Sequence, residues 1–182
     1  MIHAVSPVGS YAPDFELPDI NHIVHHLARY LDKYDAVAVI MMSNHCPYVQ
    51  AYLERLKQLQ TEFEPQGVTL IGINSNDDRQ VPQDSLEQMQ VFAAEHQLNF
   101  PYLRDVAQDV AQGFRATTTP QAFLIDQASV ICYVGAIDNS PKDASTVSQT
   151  YLHDAISLLI NSKTISIPTT NPVGCSVKWR KN

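Results

Sequence analysis

The sequence predicts an α/β protein with a central mixed β-sheet and helices on both of its faces. Short apolar runs at 36–42 and 68–74 are typical of strands buried on both faces. Segments with helical spacing of apolar residues alternate with these runs, which is the pattern of a parallel sheet covered by helices. Two further runs, at 121–126 and 130–134, lie close enough in the chain to form an antiparallel hairpin, which makes the sheet mixed.

Turn signals between the apolar runs define the individual elements. Proline, aspartate and asparagine at the start of the chain predict an N-terminal β-hairpin over about 11–27, followed by a short helix. Pro65-Gln66-Gly67 ends the first long helix. The predicted elements after the hairpin are a helix at 27–33, a strand at 36–42, a helix at 48–64, a strand at 68–74, a helix at 84–97, an extended piece at 99–103, a helix at 106–113, the late hairpin and a helix at 145–161.

Composition indicates one globular domain, because the 182 residues are 45% hydrophobic and 17% charged. We predict a domain over 1–162 and a C-terminal tail over 163–182. The net charge of −7 argues against nucleic acid or an anionic membrane as a partner. No run approaches the roughly 20 apolar residues of a membrane span, and residues 1–7 lack the features of a signal peptide. We therefore expect a cytoplasmic protein.

The segment Asn44-His45-Cys46-Pro47 places a cysteine where a buried strand gives way to a helix. Unpaired backbone N–H groups and the positive end of the helix dipole favour the thiolate there, and the thiolate is the reactive form. The sequence therefore predicts redox chemistry at Cys46, with a partly accessible sulfur. An inert, half-buried cysteine at a strand end is the alternative.

Cys132 and the histidines predict no further chemistry of this kind. Three cysteines are an odd and sparse set, which fits a reducing compartment better than a disulfide scaffold. Cys132 lies between apolar residues in a strand and is expected to pack as a small hydrophobe. The histidines have no partners at metal-ligand spacing, so we expect no metal and no other cofactor.

A second chemical signal is Thr119-Pro120, directly before the strand at 121. An X–Pro bond is the one peptide bond for which the cis form costs little, although a trans proline at the start of a strand is the commoner arrangement. A proline here also donates no hydrogen bond to the sheet.

These residues together resemble the thioredoxin-like superfamily, in particular its redoxin branch, which includes peroxiredoxins of the alkyl hydroperoxide reductase/thiol-specific antioxidant type and thiol-disulfide reductases. The opening 8–17 is similar to the Gly-x-x-Ala-Pro-Asp-Phe-x-Leu start of those proteins, and 75–103 is similar to the helix and strand that they insert into the core. A group of thioredoxin-like proteins shares three further motifs with this chain, at Asn44–Val49, Ile73–Asn76 and Pro172–Trp179.

The resemblance implies that Cys46 is the attacking thiol and that Pro120 is a cis proline facing it. The backbone of Thr119 would then be offered to an extended peptide or to a small thiol. A positive partner for the thiolate is also expected. Arg115 is the nearest candidate in the sequence, and His45 is the other possible source of positive charge, although it is more simply a surface or packing residue.

Two departures from the family patterns concern Cys46. Ser43 stands where a Cys-x-x-Cys motif has its first cysteine, so no disulfide can form within the motif. Ser43 and Cys46 also match the end of the peroxiredoxin pattern Pro-x-x-x-Thr/Ser-x-x-Cys, in which the hydroxyl bonds the thiolate and the peroxide, but Val39 replaces its proline. Ser43 is therefore expected either to bond the thiolate or to cap the following helix.

Cys175 is the residue that could supply a second thiol. It lies beyond the last helix, in a tail whose Trp179 needs apolar surface to cover it. The tail could fold back and bring Cys175 to Cys46 as a resolving cysteine, or it could simply be docked.

The expected function is that of a thiol-based oxidoreductase. Cys46 would attack a peroxide, giving a sulfenic acid, or a protein or small-molecule disulfide, giving a mixed disulfide. Cys175, an external thiol such as glutathione, or a thioredoxin-type reductant would then release the product. A non-catalytic binding module that grips an extended partner beside Pro120, with a vestigial Cys46, is the alternative from another class.

Overall fold

The computed structural model describes residues 6–181 and has the predicted α/β architecture. Residues 1–5 of the predicted domain and Asn182 of the predicted tail lie outside the described residues. The strands are β1 (Glu16–Pro18), β2 (Val24–His26), β3 (Ala36–Met41), β4 (Val68–Asn74), β5 (Tyr102–Arg104), β6 (Thr118–Thr119), β7 (Gln121–Asp126), β8 (Ile131–Gly135) and β9 (Cys175–Ser176). The α-helices are α1 (Leu27–Lys33), α2 (Pro47–Phe63), α3 (Leu86–Glu95), α4 (Asp109–Gly113) and α5 (Tyr151–Ile160).

The central sheet has five strands in the order β5-β4-β3-β7-β8. Strand β3 pairs in parallel with β4, and β4 in parallel with β5, whereas β7 is antiparallel to both β3 and β8. The sheet is therefore mixed, as predicted. Strand β5 and helix α3 together form the inserted helix and strand, and β1 and β2 form the N-terminal hairpin.

The side chains of β3 explain why its run is uniformly apolar. Alternate residues of a strand point to opposite faces, and Ala36, Ala38 and Ile40 join one core while the residues between them join the other. Helices α2, α3 and α5 cover the first face, and α1 and α4 cover the second. Each face of the strand therefore has an apolar layer to pack against, and a polar residue would be buried anywhere along it.

Three helices are shorter than predicted, for local reasons. The Oγ of Ser85 accepts from the backbone N–H of Gln88, so Ser85 caps the N-terminus of α3 and the helix begins at Leu86. Gln108 has left-handed backbone with φ 66°, which delays α4 to Asp109. The helix predicted at 145–161 is interrupted, because a short 3₁₀ turn at Ala144–Thr146 ends before α5 begins.

The chain after α5 runs back along the domain. Thr169 forms a parallel bridge with Val134 at the edge of β8, and β9 pairs antiparallel with β6. Val177, just beyond β9, is only 5% exposed. Within residues 6–181 no helix combines the length and the apolar character that crossing a bilayer requires.

Candidate active site

Cys46 lies at the junction that the sequence predicts, between β3 and α2, and is the N-cap residue of α2. Pro47 occupies the first turn of that helix, where a missing N–H has no cost. The Cys46 thiol donates a hydrogen bond to the carbonyl oxygen of Thr119, with an Sγ–O distance of 3.3 Å. The prediction that Cys46 is partly accessible is wrong for this conformation, because the residue is 0% exposed.

Residues Thr119 and Pro120 lie beside this thiol. The peptide bond between them is cis, and Thr119 is the end of β6, whose partner is β9. The Oγ1 of Thr119 is buried and has no hydrogen-bond partner among the residues that the structure describes. Thr119 therefore presents a backbone carbonyl to Cys46, while its buried hydroxyl remains available.

The C-terminal chain brings a second cysteine to the same place. We call residues 171–181 the C-terminal strap. Within it, Cys175 is the direct antiparallel partner of Thr119. Burial, a hydrogen bond with the Cys46 thiol and the charge of Cys46 raise the pKa of Cys175 to about 11. The hydrogen bond places the thiol of Cys175 next to that of Cys46, and the raised pKa keeps the Cys175 thiol protonated at neutral pH. Both cysteines are free in this structure.

Ser43 does not have either of the roles expected for it. Its Oγ donates to Asp84 Oδ2 at 2.9 Å and lies 2.8 Å from His45 Nδ1. The first turn of α2 has no side-chain cap. The Ser43 hydroxyl donates to the carboxylate of Asp84, and a hydrogen bond to an ionised acceptor is stronger than one between neutral groups. Ser43 therefore supports the segment before Cys46 and does not cap the helix.

Asp84 is the central residue that the sequence analysis missed. It is 0% exposed, yet both of its oxygens accept several hydrogen bonds. We call this set the Asp84 network; its donors are the Ser43 hydroxyl, the Asn44 backbone N–H, His45 Nδ1 and the side-chain amides of Asn74 and Asn76. A buried carboxylate needs such donors to offset its lost hydration.

The network joins residues of the three motifs that the sequence analysis singled out. The first motif supplies Asn44 and the second supplies Asn74 and Asn76, which all donate to Asp84. The third contains Lys178, whose backbone N–H donates to Asn76 Oδ1 at 2.8 Å. The polar run after β4 was the signal in the sequence, because polar residues that end a buried strand need partners.

His45 connects this network to solvent. Its Nδ1 lies 2.9 Å from Asp84 Oδ2, and its side chain is 29% exposed. A carboxylate can only accept, so Nδ1 carries the proton of that hydrogen bond. The sequence suggested that His45 is a surface or packing residue. In the structure its partly exposed ring is oriented by a hydrogen bond to a buried carboxylate.

Arg115 lies farther along the chain, on an exposed turn with left-handed backbone. It lines an open cleft of about 560 Å³ together with Thr117, which directly precedes β6, and with Trp179 and Arg180 of the strap. The structure thus places this predicted site residue at the cleft beside the strap.

Cys132 is apart from the other two cysteines. It lies on β8, and its thiol contacts the carboxylate of Asp126. Burial, together with the charge of Asp126, raises the pKa of the Cys132 thiol to about 11. A thiol held neutral in this way is a poor nucleophile at neutral pH.

The geometry limits the chemistry of the site. Two adjacent thiols can exchange electrons with a disulfide or a peroxide, and a buried backbone edge lies next to them. Within residues 6–181 no group of three His, Cys, Asp or Glu side chains is arranged to hold a metal ion.

Comparison with protein families gives one match that covers most of the chain. A family model described as AhpC/TSA family matches residues 8–134. This range includes Ser43, Cys46, Asp84, Thr119 and Pro120, and it ends before the strap and Cys175.

Individual relatives agree with this match. The thiol-disulfide oxidoreductase ResA of Geobacillus kaustophilus is 29% identical over 120 residues, which are 66% of this chain and 64% of that protein. The chain thus spans less than two thirds of the length of that relative.

Solved structures extend the likeness to nearly the whole chain. A crystal structure of an uncharacterized conserved protein from Geobacillus kaustophilus has a TM-score of 0.91 and 32% identity, covering 98% of this chain and 95% of the other. The crystal structure of peroxidoxin BcpB from Mycobacterium tuberculosis has a TM-score of 0.64 at 20% identity, covering 86% and 97%. The predicted thioredoxin-like fold is confirmed by these likenesses.

Proposed function

We propose, because the chain belongs to the AhpC/TSA family, that it is a thiol oxidoreductase in which Cys46 is the attacking thiol and Cys175 the resolving thiol. The observation that carries the proposal is the pairing of Cys175 with Thr119, the residue whose carbonyl accepts from the Cys46 thiol. This pairing supports a two-cysteine mechanism despite the serine at position 43.

Thiol–disulfide exchange is the reaction we favour. The Cys46 thiolate attacks a disulfide R–S–S–R′, forming Cys46–S–S–R and releasing R′–S⁻. The Cys175 thiolate then attacks Cys46–S–S–R, forming a Cys46–Cys175 disulfide and releasing R–S⁻. An external dithiol or two monothiols reduce this disulfide and return the protein to the dithiol state. Ser43 supports this choice, because its hydroxyl bonds Asp84 and is not needed for a peroxide.

Peroxide reduction is the second candidate, for two reasons. The completely buried Cys46 admits a small peroxide more readily than a large disulfide. The unpartnered Thr119 hydroxyl could also donate to a peroxide oxygen. In this reaction Cys46–S⁻ and ROOH give Cys46–SOH and ROH after uptake of one proton, and Cys175 then forms the disulfide with release of water.

The cellular setting follows from the cysteine content. An odd, sparse set of free cysteines is typical of a reducing compartment, so we place the protein in the cytoplasm. The external reductant is then a thioredoxin-type protein or a thiol such as glutathione.

Thiol titration and disulfide mapping test the two-cysteine proposal. One equivalent of diamide should lower the count of free thiols by two and give a linked Cys46–Cys175 peptide pair. Cys132→Ser should oxidise normally and serves as the matched control, whereas Cys46→Ser should form no such bridge. Oxidation that leaves Cys175 free would contradict its resolving role.

Kinetics separate the candidate reactions. We expect the reduced protein, with dithiothreitol as donor, to reduce a protein disulfide faster than it consumes hydrogen peroxide, and both activities to disappear in Cys46→Ser. A peroxidase rate that exceeds the disulfide rate would favour the second candidate. No activity of the wild-type protein above the background of dithiothreitol alone would leave the non-catalytic binding module as the better description.

A further inference from the structure

The C-terminal strap occupies the backbone edge that adjoins Cys46. Strand β9 forms an antiparallel pair with β6, with Cys175 opposite Thr119 and Ser176 opposite Thr118. The backbone N–H of Val177 continues this ladder by donating to Thr117 O at 3.1 Å. The strap therefore lies as an extended peptide along residues 117–119 and carries a cysteine to the Cys46 thiol.

The fit of this peptide depends on the residue before its cysteine. A Cβ at Gly174 would overlap the carbonyl oxygen and carbonyl carbon of Thr119, which are backbone atoms. Backbone cannot move aside as the end of a flexible side chain can, so the groove accepts glycine at this position and rejects alanine. The conformation of Gly174 does not impose this choice, because its φ is outside the left-handed region.

The groove requires a larger, apolar side chain two positions after the cysteine. Val177 is 5% exposed, whereas its neighbours Ser176 and Lys178 are more accessible. Burial of one valine side chain stabilises the seated peptide through the hydrophobic effect. The groove is therefore complementary to a segment with the pattern Gly-Cys-x-apolar.

The same groove must be vacated during turnover. Cys46 is 0% exposed while the strap is in place, so a protein disulfide reaches it only after the strap leaves. Departure of the strap exposes the backbone groups of 117–119 that pair with it, such as the carbonyl oxygen of Thr117, and the apolar site of Val177. A substrate segment that pairs with these groups in the same register brings its own cysteine to Cys46.

We infer that the strap is an internal copy of the substrate, and that the substrate is a partner protein whose disulfide cysteine lies in an extended Gly-Cys-x-apolar segment. This inference rests on the proposed function and specifies its substrate. The partner segment displaces the strap, Cys46–S⁻ forms a mixed disulfide with its cysteine and expels the partner's other sulfur as a thiolate. The returning strap places Cys175 to attack that mixed disulfide and expel the partner.

Activated peptides test the pattern on the full-length chain. The protein carries Cys132→Ser and Cys175→Ser, so that Cys46 is its one thiol. The probes are Pro-Val-Gly-Cys-Ser-Val, Pro-Val-Ala-Cys-Ser-Val and Pro-Val-Gly-Cys-Ser-Ser, each with its cysteine in a disulfide with thionitrobenzoate. Attack by Cys46 forms the protein–peptide disulfide and releases coloured thionitrobenzoate, whose rate is measured.

We expect the Gly-Cys-Ser-Val peptide to react about tenfold or more faster than the alanine peptide, because the added methyl meets backbone atoms. The Gly-Cys-Ser-Ser peptide should also be slower, since it loses the buried valine. Equal rates for the three peptides would overturn the inference. A mixed disulfide of glutathione with thionitrobenzoate has the same leaving group, and its reacting as fast as the best peptide would also overturn the inference, in favour of small disulfides.

A strap variant tests displacement independently. Gly174→Ala should weaken the seating of the strap and raise the rate with the Gly-Cys-Ser-Val peptide by about tenfold. Ser176→Ala, an alanine at an exposed position of the same strand, is the matched control and should leave the rate within about twofold. An unchanged rate in Gly174→Ala, with native circular dichroism, would contradict displacement.

The same measurements separate this inference from the proposed function. Exchange at Cys46 without discrimination among the peptides removes the inference and leaves the function. A Cys46 that exchanges with no disulfide, including dithiobis(nitrobenzoate), removes both. The peptides are compared on the protein that keeps Gly174, so this comparison does not depend on whether Gly174→Ala folds.

Discussion

The Asp84 network and the C-terminal strap both hold the segment around Cys46, but they do so in different ways. The network joins side chains from the loops after β3 and β4 to one buried carboxylate. The strap is held by a two-residue ladder, by Val177 and by several hydrogen bonds, such as that from Asp77 N–H to Lys178 O at 2.9 Å; its side-chain hydrogen bonds to the domain are part-buried or exposed.

Because they are held differently, the Asp84 network and the strap contribute to the chemistry in different ways. Removing one member of a buried polar network leaves its partners unsatisfied, so the network resists change as a unit. A short edge ladder opens locally at low cost because few buried contacts are lost. The Asp84 network therefore fixes the position of Cys46, while the strap controls access to it.

Removing the carboxylate should have the largest effect. Asp84→Ala leaves several buried donors without an acceptor and is expected to lower the free energy of unfolding by roughly 3–5 kcal/mol. Urea denaturation measures the loss. The exposed Asp32 provides the control, since Asp32→Ala should change stability by less than about 0.5 kcal/mol. A small loss in Asp84→Ala would show that the network does not position the segment.

Weakening the strap should have a smaller and local effect. Val177→Ala removes buried methyl groups and should lower the free energy of strap opening by about 1–2 kcal/mol. Hydrogen exchange at the Val177 and Lys178 amides should accelerate about tenfold, with amides of β3 unchanged. Val173→Ala is the matched control, because Val173 is 48% exposed. Equal acceleration throughout the protein would mean that the strap opens only on global unfolding.

Ser43 should affect stability but not the rate of exchange. Ser43→Ala removes a hydrogen bond to Asp84 and should cost about 1 kcal/mol. The rate of disulfide attack by Cys46 should stay within about twofold of wild type. If Ser43→Ala lowered the rate of attack by Cys46 tenfold or more without loss of stability, Ser43 would act on the Cys46 thiolate after all.

The smallest expected effect concerns pH and Cys132. Its pKa of about 11 lies above that of an unfolded thiol, about 8.5. The folded state thus retains a proton that the unfolded state has lost, so this contribution to stability is complete below pH 8.5 and declines as the pH rises toward 11.

Urea denaturation between pH 7 and pH 10 measures this decline, and Cys132→Ala should make it shallower. The curves of the variant and the wild type should be parallel below about pH 7.5, where the Cys132 thiol of the wild type is protonated in both the folded and the unfolded state. A variant that loses stability with pH as steeply as the wild type would contradict the assigned cause.

The sequence by itself predicted the sheet, the order of its elements and the position of Cys46 at the start of α2. These features depend on local patterns, because a run such as 36–41 is apolar on both faces and a proline after a cysteine favours a helix start. Helix ends were less well predicted, since Ser85 and Gln108 stop or delay helices through single contacts or backbone angles.

Only the tertiary structure decided the surroundings of Cys46. Asp84 is 41 residues from Ser43, and no local pattern identifies the acceptor of so distant a hydroxyl. The pairing of Cys175 with Thr119 likewise joins residues from opposite sides of β7, β8 and α5. Local periodicity determines which segments become strands and helices, but hydrogen bonds and burial between distant segments depend on how those elements pack.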